Sequence, residues 1–290
     1  MRVQDHLQES NMTGKEKDAA VGSGELLEVL KFYHENGVDC VLEEDGPGTC
    51  APPVAALQEQ EGCTLQVGSP SEQMDAGASQ FSTDWVAAAK SIADKCGTLA
   101  ELREAVEAFE GCEIKKAAMN TVFSDGNPNA KIMLIGEAPG SNEDREGRPF
   151  CGASGMLLDK MLAAIGLDRK STYISNTTFW RPPGNRRPTD FELEICKPFV
   201  EKHIALIAPS ILVLVGSTAC CSLLSTPESI SRLRGRFHEY ANPFLAHPIK
   251  TAVIFHPAYL LRQPMQKRLA WEDLKMIRSH IENEKITVDA

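Results

Sequence analysis

No stretch of this 290-residue sequence comes near the ~20 uninterrupted apolar residues that a membrane-crossing helix needs. Its first residues, MRVQDHLQESNMTGKEKD, lack the apolar centre of a secretory leader. Nine cysteines are present, but their spacing is not that of a small disulfide-stapled domain, and Cys220 and Cys221 are adjacent. No internal repeat is visible. These absences point to a soluble, cytoplasmic chain with reduced thiols, most of them small buried residues.

A basic overall balance is also missing, since the net charge is −10. That figure hides a division along the chain. Residues 1–100 carry 6 Lys/Arg against 17 Asp/Glu, whereas Arg145 to Arg268 carry 17 against 9. An acidic N-terminal region therefore precedes a locally basic body, whose surplus permits a positive face able to meet phosphates.

With 42% apolar residues there is enough to bury a core. The spacing of Leu26, Leu27, Leu30, Phe32 and Tyr33 predicts a short amphipathic helix over about 24–36. Glu43 to Gln80 is rich in Pro, Gly, Ser and acids without a period, which predicts a disordered linker. The expected boundary thus separates an N-terminal region, 1–83, open to contact with another protein, from a folded domain, 84–290. Helical patterns follow from Asp84, and Thr98 with Glu101 spells a capping box.

Beyond them, short apolar runs alternate with helices. KIMLIGE (131–137), TYISNTTF (172–179), SILVLVG (210–216) and IKTAVIFHP (249–257) read as strands. Strands of this kind, separated by helices, predict an α/β fold: a three-layer α-β-α architecture with a central, mainly parallel four-stranded sheet. In such sheets ligands bind outside the carboxyl ends of the strands. Here those ends carry GEAPG, SNTTFW, VGST and FHPAYLLR, so Glu137, Asn176 and His256 can converge on one small ligand.

GEAPGSNEDREGRPFCGASGMLLDKML, SNTTFWRPPGNRRPT and HPAYLLR, in that order and spacing, resemble the family 4 uracil-DNA glycosylases. The likeness runs from about Thr98 to the C-terminus. It implies the glycosylase fold and a monomeric, monofunctional enzyme of base excision repair, working on the nucleoid of a bacterial-type cell. Such an enzyme flips uracil out of DNA and hydrolyses its N-glycosidic bond to leave an abasic site. Members of that family usually carry four cysteines that bind an iron–sulfur cluster. Here Phe109 and Trp180 stand at two of those positions and only Cys112 and Cys196 remain, so no cluster, metal or other cofactor is expected.

The resemblance also assigns roles. Phe150 would stack on the base, although a core aromatic is the plain alternative. Asn176 would read the base edge with one donor and one acceptor, or else merely cap a turn. His256 would donate a hydrogen bond to uracil O2 as charge leaves with the base. Gly136, Ala138, Pro139 and Gly140 would form the pocket wall, with glycine allowing close backbone approach and proline stiffening the turn. Where a related family has an aspartate, this chain has Ala138. Glu137 and Glu143 are therefore both candidates for positioning water, while Asp144 and Glu146 read as solvated turn acids. Tyr259, Leu260, Leu261 and Arg262 would form a wedge into the gap left by the flipped nucleotide, with Leu260 in the core as the alternative. Arg181, Arg186, Arg187, Arg234 and Ser217 would contact DNA phosphates. Two other readings stay open: a non-catalytic protein that recognises uracil or damaged bases on the same fold, and an enzyme of nucleotide metabolism using GEAPG as a phosphate loop. The latter lacks the G-x-x-x-x-G-K-[ST] lysine.

Overall fold

A computed structural model of the chain describes residues 76–288. The helix expected over about 24–36 and most of the expected linker lie outside the described residues. Helix α1 (Ala76–Lys95) begins ahead of Asp84, so the last residues assigned to the linker are helical. Helix α2 (Leu99–Ala108) starts on the expected capping box: Thr98 Oγ1 accepts the Glu101 N–H at 3.2 Å and Glu101 Oε2 accepts the Thr98 N–H at 3.2 Å.

Six strands follow: β1 (Asp125–Gly126), β2 (Ile132–Gly136), β3 (Tyr173–Asn176), β4 (Ile211–Val215), β5 (His238–Tyr240) and β6 (Ile249–Ile254). They form one sheet in the order β1-β3-β2-β4-β6-β5. The four strands expected from the sequence are its parallel centre. The expectation of four strands in all is corrected by β1 and β5, short antiparallel edges that pair with β3 and β6. Neither edge has an apolar run to announce it; each is held by the unpaired backbone groups of its neighbour.

The central strands read as unbroken apolar runs because both faces are buried. Met133, Ile135, Leu212, Leu214 and Val253 point into one core with α1, α2, α5 (Asp190–Ile207) and α6 (Ser217–Leu224). Ile132, Leu134, Ile211, Val213 and Ile254 point into the other, beneath α4 (Ala153–Ala163), α8 (Pro257–Arg262) and α9 (Lys267–Asn283). The short helices α3 (Ser141–Glu146) and α7 (Ile230–Leu233) complete the fold. No helix among the described residues is long and apolar enough to cross a membrane.

One buried polar group sets a pH dependence. His203 on α5 is fully buried, stacked on Phe123 at 4.3 Å, with Nε2 2.8 Å from the Tyr173 hydroxyl. Because that hydroxyl donates to Ser124 Oγ at 2.7 Å, the imidazole Nε2–H donates to it. The Nδ1 lone pair is then left without a partner. Burial pushes the His203 pKa down to about 3 from the ordinary 6.5. The unfolded chain thus binds a proton that the folded chain refuses, and stability falls as pH drops from 6.5 towards 3. His203→Leu is expected to flatten the decline between pH 6 and 5 by about 1 kcal/mol per pH unit. Urea unfolding across that range checks this; an unchanged slope contradicts it.

Candidate active site

The register of the sheet builds the site. Gly136, last in β2, lies opposite Asn176, last in β3. The chain beyond them is pinned: the Thr177 N–H donates to the carbonyls of Gly136 and Glu137 at 2.9 and 3.2 Å, and Thr177 Oγ1 donates to the Glu137 carbonyl at 2.5 Å. A Cβ on Gly136 would sit 2.5 Å from both Asn176 Oδ1 and Phe150 Cζ, so glycine is what lets these two side chains meet there. Asn176 is 2% exposed, yet its side-chain amide is not among the wholly buried polar atoms left without a partner, and it bonds to no other described residue. Its donor and acceptor are therefore both available to a ligand.

His256 completes the group from the end of β6. Its ring lies 5.6 Å from that of Phe150 at an interplanar angle of 29°. His256 is also the N-cap of α8, and its Nδ1 accepts the Ala258 N–H at 3.2 Å. That bond fixes the tautomer, because an Nδ1 that accepts carries no proton and the neutral ring must hold its hydrogen on Nε2. Desolvation lowers the His256 pKa below 6.5, against an opposing pull from Glu137, so the ring is neutral at pH 7.

The two candidate carboxylates separate. Glu143 is committed to the backbone, where Oε2 accepts the Gly140 N–H at 3.1 Å and Oε1 accepts those of Cys151 and Gly152 at 3.0 and 2.9 Å. These bonds close the loop that carries Phe150. Glu137 instead receives a 2.6 Å hydrogen bond on Oε2 from the buried Thr218 hydroxyl. Nothing in the local sequence marks Thr218 as a partner of a residue 81 positions away. Ala138 and Gly140 are partly exposed on the same turn, and Pro139 is buried beneath it. Asp144 is not a solvated acid: it is 1% exposed and accepts the N–H groups of Met119 and Asn120 at 2.8 and 3.1 Å.

The expected DNA-contact residues also divide. Arg234 grips the fully buried Asp273, with Nε and Nη2 each 2.9 Å from a carboxylate oxygen, and its side chain is 13% exposed. This corrects its assignment to a phosphate contact. Leu260 is 1% exposed and belongs to the core, whereas Leu261 beside it is 44% exposed. Arg186 is held by Glu192 through two hydrogen bonds of 2.8 and 2.6 Å, an ion pair that keeps Glu192 below the usual carboxylate range. Its guanidinium fastens the start of α5 rather than standing free. Arg181 is bonded to Asn185 at 2.6 Å, Tyr259 packs on Phe255 at 5.2 Å, and Arg187, Ser217 and Arg262 are exposed.

Away from this rim, Cys112 and Cys196 are fully buried. They share one core with Phe109 and Trp180, which are 3% and 1% exposed. Phe109 packs edge-on against Phe199 at 5.1 Å and Trp85 at 5.9 Å, and the Trp180 indole N–H donates to Thr121 Oγ1 at 3.0 Å. Among the described residues no three His, Cys, Asp or Glu side chains gather as a metal site.

The carboxyl ends of the parallel strands thus bring an amide, a neutral imidazole and an aromatic ring to one rim, the side of an open α/β sheet where ligands generally bind. The family model of the uracil DNA glycosylase superfamily matches residues 123–275. A type-4 uracil-DNA glycosylase of Sulfurisphaera tokodaii is 36% identical over 198 residues, covering 66% of this chain and 89% of that protein. Those of Archaeoglobus fulgidus and Thermotoga maritima are 37% and 35% identical, covering 57% and 62% of this chain and 84% and 93% of their own lengths. The chain belongs to the uracil DNA glycosylase superfamily. Its resemblance to the type-4 members extends over nearly their whole length.

The tautomer can be tested directly. Imidazole 15N spectra are expected to show His256 with the proton on Nε2 and a pKa below 6.5; a protonated Nδ1, or a pKa at or above 6.5, contradicts the geometry.

Proposed function

We propose that this chain is a uracil-DNA glycosylase of DNA repair that takes uracil out of the DNA stack and hydrolyses its N-glycosidic bond. The observation that carries the reading is the Asn176 side chain, 2% exposed and without a hydrogen-bond partner among the described residues, meeting Phe150 at Gly136, with the His256 ring stacked on that of Phe150. The reacting bond is out of reach inside a duplex, so the base must be extruded. Phe150 then supplies a stacking face. Asn176 matches O4 and N3–H of uracil; cytosine presents the opposite polarity and leaves both groups unpaired, at a cost of roughly 1–3 kcal/mol each.

As the bond from N1 to C1′ breaks, the electron pair leaves with the base and accumulates on O2, and positive charge remains on the sugar. His256 donates its Nε2–H to O2 without surrendering the proton. A neutral donor suits this task because it is already aimed and needs no rearrangement as charge develops. Glu137, oriented by Thr218 through one oxygen, has the other for the attacking water and offsets the sugar's positive charge. Leu261 fills the gap in the duplex, with Arg262, Arg187, Arg181 and Ser217 on the phosphates.

We also infer that no iron–sulfur cluster is part of this protein. A cluster of this kind needs four ligands, usually thiolates. Two thiols are present at the corresponding locus, and the rings of Phe109 and Trp180 lie buried in the same core. Anaerobically purified protein is expected to contain no stoichiometric iron; a visible absorption band that tracks iron content contradicts this.

Uracil release from single-stranded and mismatched DNA, with free deoxyuridine monophosphate as control, tests the function. Release from DNA and not from the nucleotide is expected. His256→Ala and Asn176→Ala should each lower kcat by about 10²–10³-fold while leaving the protein folded. Full activity in either variant contradicts the site. Binding of uracil-containing DNA without release identifies a recognition protein instead, and release from the nucleotide alone an enzyme of nucleotide metabolism.

A further inference from the structure

Phe150 has a backbone conformation that its residue type disfavours. Its φ is +53°, in the left-handed region, where a side chain with a Cβ carries a cost of about 1–2 kcal/mol. Such a conformation persists only where the surroundings over-determine it. Two neighbours do so here. On one side is Gly155, where an added Cβ would come within 1.7 Å of the Phe150 carbonyl oxygen. On the other is Arg169, from the loop between α4 and β3. Its Nη2 donates to that same carbonyl and its Nη1 to the Pro149 carbonyl at 3.1 Å.

Arg169 is itself anchored. Nη1 also reaches Asp125 Oδ2 at 2.5 Å, on edge strand β1, and Nε reaches Asp159 Oδ1 at 2.9 Å, on α4. The side chain is 26% exposed, so these charge-assisted bonds are partly shielded from water. A planar guanidinium with several fixed donors can bridge two carboxylates and two carbonyls at once; a lysine ammonium cannot reproduce that geometry. The far end of the linkage is the Phe150 ring, whose edge sits at Gly136 and whose face lies towards His256.

We propose that Arg169 is a positioning residue for the glycosylase reaction, holding the Phe150 backbone in its left-handed conformation so that the ring presents the stacking face of the uracil pocket. The proposal rests on the reading of the site as a uracil pocket. Nothing in the sequence marks Arg169, which lies in GLDRKST, outside the three motifs that carry the resemblance.

A double-mutant cycle tests it. kcat and KM for a uracil-containing single-stranded oligonucleotide are measured for the wild type, Arg169→Gln, Phe150→Ala and the double variant, with a thermal melt of each. Arg169→Gln is expected to lower kcat/KM by about 10- to 100-fold, as displacement of a positioned group by about an ångström does. In the Phe150→Ala background the same substitution should change kcat/KM by less than about twofold, because the group through which it acts is gone. Arg169→Lys should recover part of the loss. Should Arg169→Gln fail to fold, Asp159→Asn loosens the anchor from its 47%-exposed side, and a smaller fall with the same dependence on Phe150 is expected.

Equal losses in both backgrounds, or wild-type kcat/KM in Arg169→Gln, would overturn the proposal. A second readout does not use activity: 4-fluorophenylalanine placed at position 150 should shift its 19F resonance in Arg169→Gln or Asp159→Asn, and an unmoved resonance overturns the clamp. A wild-type chain that releases no uracil, yet shows that shift, sinks the glycosylase reading and leaves the clamp on Phe150 standing as structure alone.

Discussion

The site depends on one close approach. β2 and β3 end in register, and at that end β2 has a glycine where almost any other residue would drive a carbon into Asn176 and Phe150. From this vacancy the rest follows. The Asn176 amide faces the ring edge of Phe150, His256 is brought alongside by β6 two strands away, and Glu137 follows directly in the chain. The sheet thus brings residues 40 and 80 positions apart together at one rim, and its two cores keep the strand ends fixed.

Around that contact the polar groups fall into two kinds. Glu143, Asp144, Arg186 and Arg234 are used up within the protein, each by backbone N–H groups or an opposite charge. Buried or half-buried charges need such partners, because desolvation would otherwise neutralise or expel them. Asn176 and the Nε2 side of His256 lack such partners among the described residues, and Glu137 uses one oxygen of two. This contrast sets the strand-end rim apart from the core, where the wholly buried polar atom without a partner among the described residues is His203 Nδ1.

Much of this was legible in the sequence. The four parallel strands announce themselves because burial on both faces leaves continuous apolar runs, and the Thr98–Glu101 capping box marks the start of α2. The edge strands were hidden, being two and three residues long and held by backbone pairing alone. The fates of the charged residues were hidden for a different reason: one arginine in a turn looks like another until its partner is known. Arg234 meets Asp273 from 39 positions away, and Arg169 meets Asp125 from 44. Leu260 and Leu261 are adjacent and alike, and only the start of α8 at Pro257 turns one inward and leaves the other exposed. Phe109 and Trp180, which the resemblance sets at two positions where the family usually has cysteines, are both buried in the core.

The close approach at Gly136 is the claim most open to direct attack. Measuring kcat/KM for uracil release by Gly136→Ala, alongside its unfolding midpoint, isolates it. One added methyl group should displace Asn176 and Phe150 and lower kcat/KM by about a hundredfold, while overpacking costs the fold only about 1–3 kcal/mol. A folded Gly136→Ala protein that releases uracil at the wild-type rate would contradict the account.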